Sequence, residues 1–245
     1  MRGVAEHESD DELISFVVPA YNEERLIAAT LEAIRAAAQA IGRPYEIVVA
    51  NDASTDGTAD IARAHGARVV DCDHRQIARV RNTGARASTG DTLIFVDADT
   101  LMSVDVLRAS LDALDRGAAG VGSLPDIEGR MPWWGPPTLW AVDTFMRSMH
   151  WAAGCYVAVT RPAFEAAGGF DERVFVCEEL FLSQALKKIG RVVILREQVV
   201  TSGRKLRTHS AWDMIRLLGL LLVQGPKLFR SRDQLSFWYG ERRHD

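Results

Sequence analysis

The sequence lacks several features that mark particular classes of protein. Its three cysteines, Cys72, Cys155 and Cys177, lie far apart and include no CxxC pair, which argues against a disulfide framework and a zinc site. The longest apolar run, residues 217–223, is far shorter than the ~20 residues that span a bilayer. The acidic N-terminus lacks the apolar segment of a secretory signal. We therefore expect a reduced, cytoplasmic protein, with attachment to the inner face of the membrane left open.

Charge and glycine patterns argue against further classes. The net charge is −4, so no nucleic-acid partner is expected. No GxGxxG motif follows the first apolar run, which disfavours an NAD-dependent oxidoreductase. Residues 1–12 hold five acids against one arginine, whereas residues 204–245 hold nine Lys/Arg against four Asp/Glu. We expect an acidic tail over 1–12, a catalytic domain over 13–203 and a basic, apolar extension over 204–245.

Apolar runs alternate with segments of helical spacing along the chain. Strands are expected over residues 14–18, 45–50, 67–70, 92–96, 154–158 and 191–195. Helices are expected from residue 23 to a natural end at Gly42, and over residues 58–65, 79–87, 139–149, 162–167 and 178–189. This order predicts an α/β fold with a mostly parallel sheet flanked by helices. Because such sheets bind ligands beyond the carboxyl ends of their strands, polar segments 19–23, 51–57 and 97–99 predict one site.

Asp97-Ala98-Asp99 directly follows the strand expected over residues 92–96. Residues two apart on an extended chain point the same way, so both carboxylates can face one ion. Hard oxygen ligands suit Mg²⁺ or Mn²⁺, and these ions also bind phosphate oxygens. An isolated Asp-x-Asp is weak evidence, because chance matches are frequent and many lie in solvated turns, but the preceding strand favours the metal site.

The segment 51–58, Asn-Asp-Ala-Ser-Thr-Asp-Gly-Thr, is dense in small polar residues after the second expected strand. Its carboxylate and amide groups could hydrogen-bond a nucleobase and a ribose. Alternatively, the segment is a capped turn, with Asp56 or Ser54 as the helix N-cap and Gly57 in a tight bend. Taken alone, the residues favour the turn.

Four motifs, VVPAYNEE, NDASTDGT, FVDADT and GGFDE, occur in the order and spacing found in family 2 glycosyltransferases. The chain resembles this family from about residue 14 to residue 195. The resemblance implies a GT-A-type, Rossmann-like fold that binds a nucleotide-diphosphate sugar, with UDP favoured, and uses Mn²⁺ or Mg²⁺. It also implies transfer with inversion to a hydroxyl acceptor, which is a saccharide or a lipid- or small-molecule-linked group.

The resemblance also implies roles for individual residues. Nucleotide-sugar binding is implied for Pro19, Tyr21, Glu23, Asp52, Arg81, Asn82, Asp97 and Ala98. Asp52 matches the acid that recognises the nucleobase. Asp97 and Asp99 match the metal motif, with Asp99 favoured as the direct ligand. The acceptor-side wall is matched by Gly154, Gly169, Phe170 and Asp171.

Glu178-Glu179 matches the position where many family members have Glu-Asp, whose second acid is the general base. The Glu-Glu pair departs from that pattern and lengthens the second side chain by one methylene group. We expect Glu179 to be the base, with Glu178 as the second candidate. The alternative is a pair of exposed acids at a helix N-terminus, where the helix dipole stabilises negative charge.

Two further segments carry candidate residues. In the basic segment after residue 201, Arg204 or Lys205 could neutralise phosphate charge and His209 could complete the metal shell, although a solvated basic stretch is the alternative. Adjacent Trp133 and Trp134 could stack on an acceptor sugar or line a lipid groove, although packing in the core is the alternative.

The C-terminal extension has two alternative interpretations. Residues 212–223 could lie on an anionic membrane surface, or could pack on the catalytic domain or a partner subunit, as in a homodimer.

We interpret the chain as a metal-dependent glycosyltransferase. The rivals are a nucleotidyltransferase, which usually has a glycine-rich basic loop after its first strand, and a catalytically silent nucleotide-binding subunit of a membrane glycan synthase.

Overall fold

The computed structural model describes residues 12–128 and 135–202. The predictions for Trp133, Trp134, Arg204, Lys205 and His209 lie outside these residues, as does the C-terminal extension. The strands are β1 Ile14–Ala20, β2 Tyr45–Asp52, β3 Arg68–Cys72, β4 Thr92–Val96, β5 Thr100–Leu101, β6 Ala118–Gly122, β7 Pro125–Glu128, β8 Tyr156–Thr160, β9 Arg191–Ile194 and β10 Val199–Ser202. The helices are α1 Ile27–Ile41, α2 Thr58–Ala64, α3 Ile77–Ala87, α4 Val104–Asp115, α5 Gly135–Met149, α6 Arg161–Ala167 and α7 Glu178–Leu186.

A seven-stranded sheet with the order β3-β2-β1-β4-β8-β6-β9 forms the centre of the fold. Strands β3, β2, β1 and β4 are parallel, and β9 is parallel to β6. Only β8 runs antiparallel to its two neighbours, β4 and β6. The predicted α/β fold with a mostly parallel sheet is therefore confirmed. The chain moves from β1 outward to β3 and then returns to place β4 on the other side of β1, which creates a crevice between their carboxyl ends.

Helices cover both faces of this sheet. One apolar cluster joins the sheet to α1 and α4, and a second joins it to α3, α6 and α7. All residues of β1 and of β4 are buried. Burial on both faces explains why these strands are almost entirely apolar, with Ser15 and Thr92 as the polar exceptions, instead of alternating between apolar and polar residues.

The end of the first strand and the start of the first helix differ from the prediction. Strand β1 continues through Pro19 to Ala20, although the sequence predicts an end before the proline. Strand β4 pairs with β1 only as far as Val17, so on the side of β1 that faces β4 no hydrogen bond requires an N–H from Pro19. On the other side of β1, Pro19 pairs with Ala50 of β2. Helix α1 begins at Ile27, four residues later than expected, and ends as predicted before Gly42, which has φ 83°.

A second, three-stranded sheet with the order β5-β10-β7 was not predicted. It supports the turn that carries the Asp pair, because the Ser202 N–H donates to the Asp99 carbonyl oxygen at 3.2 Å. The Thr100 hydroxyl donates to the Thr201 hydroxyl at 3.1 Å. Strands of two to four residues are too short for a period-2 pattern to identify them.

Helix α5 is the most exposed helix of the described chain. Its side chains Trp140 and Phe145 are 72% and 54% exposed. It begins at Gly135, four residues before the predicted start. Within residues 12–128 and 135–202, no helix combines the length and the apolar character needed to cross a membrane.

Gly90 lies where the loop before β4 crosses the start of β1. A Cβ built on Gly90 would lie 2.4 Å from the Leu13 carbonyl oxygen and 2.8 Å from the Ser15 nitrogen. We expect Gly90→Ala to lower the free energy of unfolding by about 1–3 kcal/mol, because backbone atoms must move. Urea denaturation measures this change. As a control, Asp91→Ala alters an exposed neighbour and should remain within about 0.5 kcal/mol of the parent; equal stability of both variants would contradict the close contact.

Candidate active site

The loops after β1 and β2 are joined at the carboxyl edge of the sheet. The Asn22 N–H donates to Ser54 Oγ at 3.0 Å, and Asn22 Oδ1 accepts from the Thr55 N–H at 2.8 Å. The Glu23 N–H donates to Thr58 Oγ1 at 2.8 Å, and the Glu23 residue is buried. Two of the three polar segments expected to share a site are therefore in direct contact.

The turn in segment 51–58 has a different cap from the expected one. Helix α2 follows Gly57, which makes no side-chain cap hydrogen bond. Asp56 instead accepts from the Thr58 N–H at 3.0 Å through Oδ1, and from the Glu24 N–H at 3.2 Å through Oδ2. Gly57 therefore occupies the N-cap position. Asp56 still accepts from the first N–H of the helix, that of Thr58, whereas Ser54 holds the loop after β1.

Asp52 and Tyr21 connect this rim to the loop after β3. Asp52 is buried, and its Oδ1 accepts from the backbone N–H groups of His74 at 2.6 Å and Arg75 at 3.1 Å. The Arg75 guanidinium lies 4.4 Å from the centroid of the Tyr21 ring, a cation–π distance. Arg75 was missed in the sequence, although its position after a strand that ends at the same edge is a signal for it.

Asp97 and Asp99 lie in the turn between β4 and β5. Both are half-buried, whereas Ala98 between them is 4% exposed and packs in the core. Burial raises the pKa of the Cys155 thiol, and the charges of Asp97 and Asp99 raise it further. Both carboxylates therefore lie near enough to act on the same thiol. Residues 98–99 form a turn and not an extended segment, so the shared face of the two carboxylates stays a prediction.

This pair can serve as part of a site for a divalent cation. Mg²⁺ is commonly held by one or two carboxylates together with substrate phosphates and water, and Asp97 and Asp99 fit that donor set. Among the described residues, no three His, Cys, Asp or Glu side chains gather into a complete metal cage. The remaining ligands of such an ion would come from the diphosphate or from water.

Arg81 of α3 connects three parts of the site. It is 2% exposed, and its guanidinium donates to Asp97 Oδ1 at 2.7 Å and to the Gly154 carbonyl oxygen at 2.6 Å. It also donates to the Glu178 carboxylate. Although burial lowers the pKa of Arg81, the charges of Asp97, Glu178 and Glu179 raise it above its ordinary value overall. A permanent buried cation therefore lies between carboxylates from two sides of the site.

Asn82, the next residue of α3, holds the loop after α6. Its Nδ2 donates to the Phe170 carbonyl oxygen at 2.9 Å and to Glu172 Oε1 at 3.0 Å, and its Oδ1 accepts from the Phe170 N–H at 3.0 Å. Gly169 has φ 71°, and a Cβ there would lie 2.9 Å from Asn82 Oδ1. The structure thus joins Asn82, predicted to bind the nucleotide, to residues predicted to form the acceptor wall.

Glu178 and Glu179 begin α7 and lie on the inside of the site. Glu178 is 3% exposed and accepts from Arg81. Glu179 is half-buried, and a Cβ added to Gly154 would lie 3.3 Å from its Oε2. The alternative of two exposed acids at a helix terminus is therefore wrong.

The two adjacent glutamates have different surroundings. Burial and the charge of Glu178 raise the pKa of Glu179 to about 8, although Arg81 opposes this change. A carboxyl group with a pKa near the working pH is suited to accept a proton from a substrate. Glu178, in contrast, accepts a hydrogen bond from the Arg81 guanidinium.

A cleft of about 710 Å³ lies beside this constellation, between α3, α6 and α7. Its wall includes Gly169, Phe170 and Asp171, which were predicted to face the acceptor, together with the side chains of Phe181 and Gln184. The Asp97, Asp99 and Glu179 carboxylates lie outside its lining.

Comparison with known protein families gives one match that covers more than half of the chain. Residues 15–165 match the family described as "Glycosyl transferase family 2". An undecaprenyl-phosphate 4-deoxy-4-formamido-L-arabinose transferase of Pseudomonas paraeruginosa is 29% identical over 130 residues, which are 50% of this chain and 38% of that protein. A validoxylamine A glucosyltransferase of Streptomyces hygroscopicus subsp. jinggangensis is 29% identical over 201 residues, 65% of this chain and 47% of that protein. The chain therefore spans less than half the length of these relatives.

Solved structures show the same fold. The mannosyltransferase PcManGT of Pyrobaculum calidifontis, in complex with GDP-Man and Mn²⁺, has a TM-score of 0.64 at 23% identity over 94% of this chain and 69% of that one. TarS 1–349 of S. aureus, in complex with UDP-GlcNAc, has a TM-score of 0.62 at 18% identity over 91% of this chain and 69% of that one. The structural neighbours establish the GT-A fold, and the sequence match establishes that the chain belongs to glycosyl transferase family 2.

Proposed function

We propose that the chain transfers a sugar from a nucleotide-diphosphate sugar, with UDP as the favoured nucleotide, to a hydroxyl acceptor with inversion at the anomeric carbon. The observation that carries this proposal is the arrangement around Arg81. In a chain of this family, one buried arginine connects Asp97 of the Asp-x-Asp turn to Glu178 at the start of α7. A candidate cation site and a candidate base thus lie on two sides of one constellation.

The chemistry of sugar transfer requires both parts. Positive charge develops on the sugar in an oxocarbenium-like transition state, while negative charge develops on the departing diphosphate. When bound by Asp97 and Asp99, Mn²⁺ or Mg²⁺ would offset the charge of the diphosphate. A carboxylate on the opposite side of the sugar removes the proton of the acceptor hydroxyl as the new bond forms.

We assign the role of base to Glu179. Glu178 shares its carboxylate with Arg81, so accepting a substrate proton would weaken that ion pair. Glu179 lies beside Gly154, where the absence of a side chain leaves space next to its carboxylate. The proton affinity of Glu179, with its pKa raised to about 8, also supports this assignment.

The relatives support the donor and suggest two kinds of acceptor. GDP-Man and UDP-GlcNAc are the ligands named for two structural neighbours, so a nucleotide-diphosphate sugar suits this fold. The names of the sequence relatives indicate a lipid phosphate in one case and a small molecule, validoxylamine A, in the other. For this chain we propose a hydroxyl-bearing saccharide, small molecule or lipid-linked group, with peripheral contact to the cytoplasmic face of a membrane in the lipid case.

Nucleotide binding tests the proposal directly. Calorimetric titration with UDP, GDP and dTDP, each in Mn²⁺ and in EDTA, is expected to show metal-dependent binding of one nucleotide, with UDP favoured. Transfer or slow hydrolysis of the matching sugar nucleotide should then release that nucleoside diphosphate. Absence of binding by all three would reject the proposed donor site and favour a silent subunit.

Asp99→Ala should remove a ligand of the cation. We expect the affinity for the nucleotide in Mn²⁺ to fall at least about tenfold, since even outer-shell changes at metal sites cost about 10–100-fold. Binding in EDTA should be unaffected. Asp105→Ala, which changes an exposed acid in the first turn of α4, is the control; an unchanged affinity in Asp99→Ala would refute the metal assignment.

Glu179→Gln should leave nucleotide affinity within about twofold and lower transfer by about 10²–10⁴-fold, because the proton acceptor is lost. In the parent, kcat/KM should rise with pH towards about 8, where Glu179 loses its proton. Full activity of Glu179→Gln together with loss of activity in Glu178→Gln would assign the base to Glu178.

The same variant has a testable effect on stability. The pKa of Glu179 is raised on folding from 4.5 to about 8, so the folded state binds more protons between these values and the stability of the parent falls as pH rises through this window. Glu179→Gln stays neutral, and its unfolding free energy should therefore depend less on pH between 4.5 and 8. Urea denaturation at several pH values measures this difference.

A further inference from the structure

The residues around Arg81 come from four separate segments of the chain. Arg81 belongs to α3, Asp97 follows β4, Gly154 precedes β8 and Glu178 begins α7. A single guanidinium makes the described hydrogen bonds to all three partners. The side chains of Arg81 and Glu178 are 3% and 4% exposed, and that of Asp97 is 27% exposed. The ion pair with Glu178 is therefore well shielded from water, while Asp97 remains accessible to a ligand.

This geometry makes Arg81 a link between the donor side and the acceptor side. Asp97 belongs to the turn proposed to hold the cation, whereas Glu178 is adjacent to the proposed base. A planar guanidinium presents five donors in a fixed orientation and can hold several oxygen atoms at once, which a lysine ammonium on a flexible stem does not reproduce. Phe170 further restricts the guanidinium, because its ring centroid lies 5.3 Å from Arg81 Cζ.

We propose that Arg81 is a positioning residue that couples the cation-binding turn to the glutamate pair, an inference that rests on the proposed function. By holding Glu178, it gives the two adjacent glutamates different roles and leaves Glu179 to exchange a proton with the substrate. By holding Asp97, it also orients the carboxylate pair towards the diphosphate. Arg81 therefore acts on the reaction through Asp97 and Glu178.

The charged and titratable groups that face Glu179 come from several elements. Glu178 lies beside it on α7, Arg81 approaches from α3 and Asp97 approaches from the turn after β4. Cys155 and Cys177 also interact electrostatically with Glu179. Arg81 is the cation among these groups, so its removal affects the whole cluster.

A double-mutant cycle measures the coupling. Glu178→Gln is expected to weaken the affinity for UDP or GDP in Mn²⁺ by about threefold or more, because Arg81 then interacts more strongly with Asp97 and competes with the cation. In an Arg81→Lys background the same change should have little effect, since one ammonium cannot hold both carboxylates. If Glu178→Gln has the same effect in both backgrounds, the coupling role of Arg81 is refuted.

A second measurement does not depend on any nucleotide. Carbon-13 NMR of the glutamate carboxyl groups, assigned with Glu178→Gln and Glu179→Gln, follows the titration of the pair in the free protein. Arg81→Met should move this titration to higher pH by about one pH unit or more, and Arg81→Lys, which keeps the charge, should move it less. Arg86→Met changes an arginine of the same helix whose side chain is 64% exposed and should leave the titration unchanged.

The nucleotide-binding cycle and the NMR titration distinguish failure of the proposed function from failure of the positioning role. If the parent binds no nucleotide but Arg81→Met moves the titration, the proposed function fails and the contact between Arg81 and the glutamate pair stands. If the parent binds a nucleotide and neither the cycle nor the titration responds to Arg81, the proposed function stands and the positioning role is rejected. An equal response to Arg86→Met would also reject it.

Discussion

The buried charge of Arg81 is the constraint on which the site depends. An arginine cation inside a protein must be compensated by nearby carboxylates and hydrogen-bond acceptors, because leaving it alone costs several kcal/mol or more. Here Asp97, Glu178 and the Gly154 carbonyl oxygen provide that compensation. Since these groups lie on different elements, satisfying one charge fixes the positions of α3, α7 and the turn after β4 relative to one another.

The sheet provides the frame in which this network can form. Buried strands β1 and β4 are parallel neighbours, so their carboxyl ends lie at the same edge of the sheet, and the loops that follow them carry the polar groups. Such loops are mobile in many proteins, but here the loops after β1, β2 and β3 bind one another through Asn22, Thr58 and Asp52. The site is therefore built on connecting segments while retaining defined positions, as is common for functional sites on a rigid scaffold.

Local pattern predicted much of this arrangement, and its failures have physical causes. The strand over Thr92–Val96, the Asp pair after it and the helix that starts at Glu178 agree with the prediction. The end of β1 was wrong because a proline can occupy a strand wherever the neighbouring strand has stopped pairing. The small sheet and the Arg75–Tyr21 contact were missed because neither leaves a periodic signal in the chain.

The sequence by itself determined the class of the fold, the strands and helices of its first hundred residues, and the chemical types of the residues at the edge of the sheet, because periodicity and turn residues act over a few neighbours. It did not predict α4, β6 or the small sheet. Only the tertiary structure decided which of these residues meet. Arg81 and Glu178 are 97 residues apart, and Asn82 and Phe170 are 88 apart. The difference between Glu178 and Glu179 also arises there, since two identical neighbouring side chains acquire different surroundings only when burial and a nearby cation distinguish them.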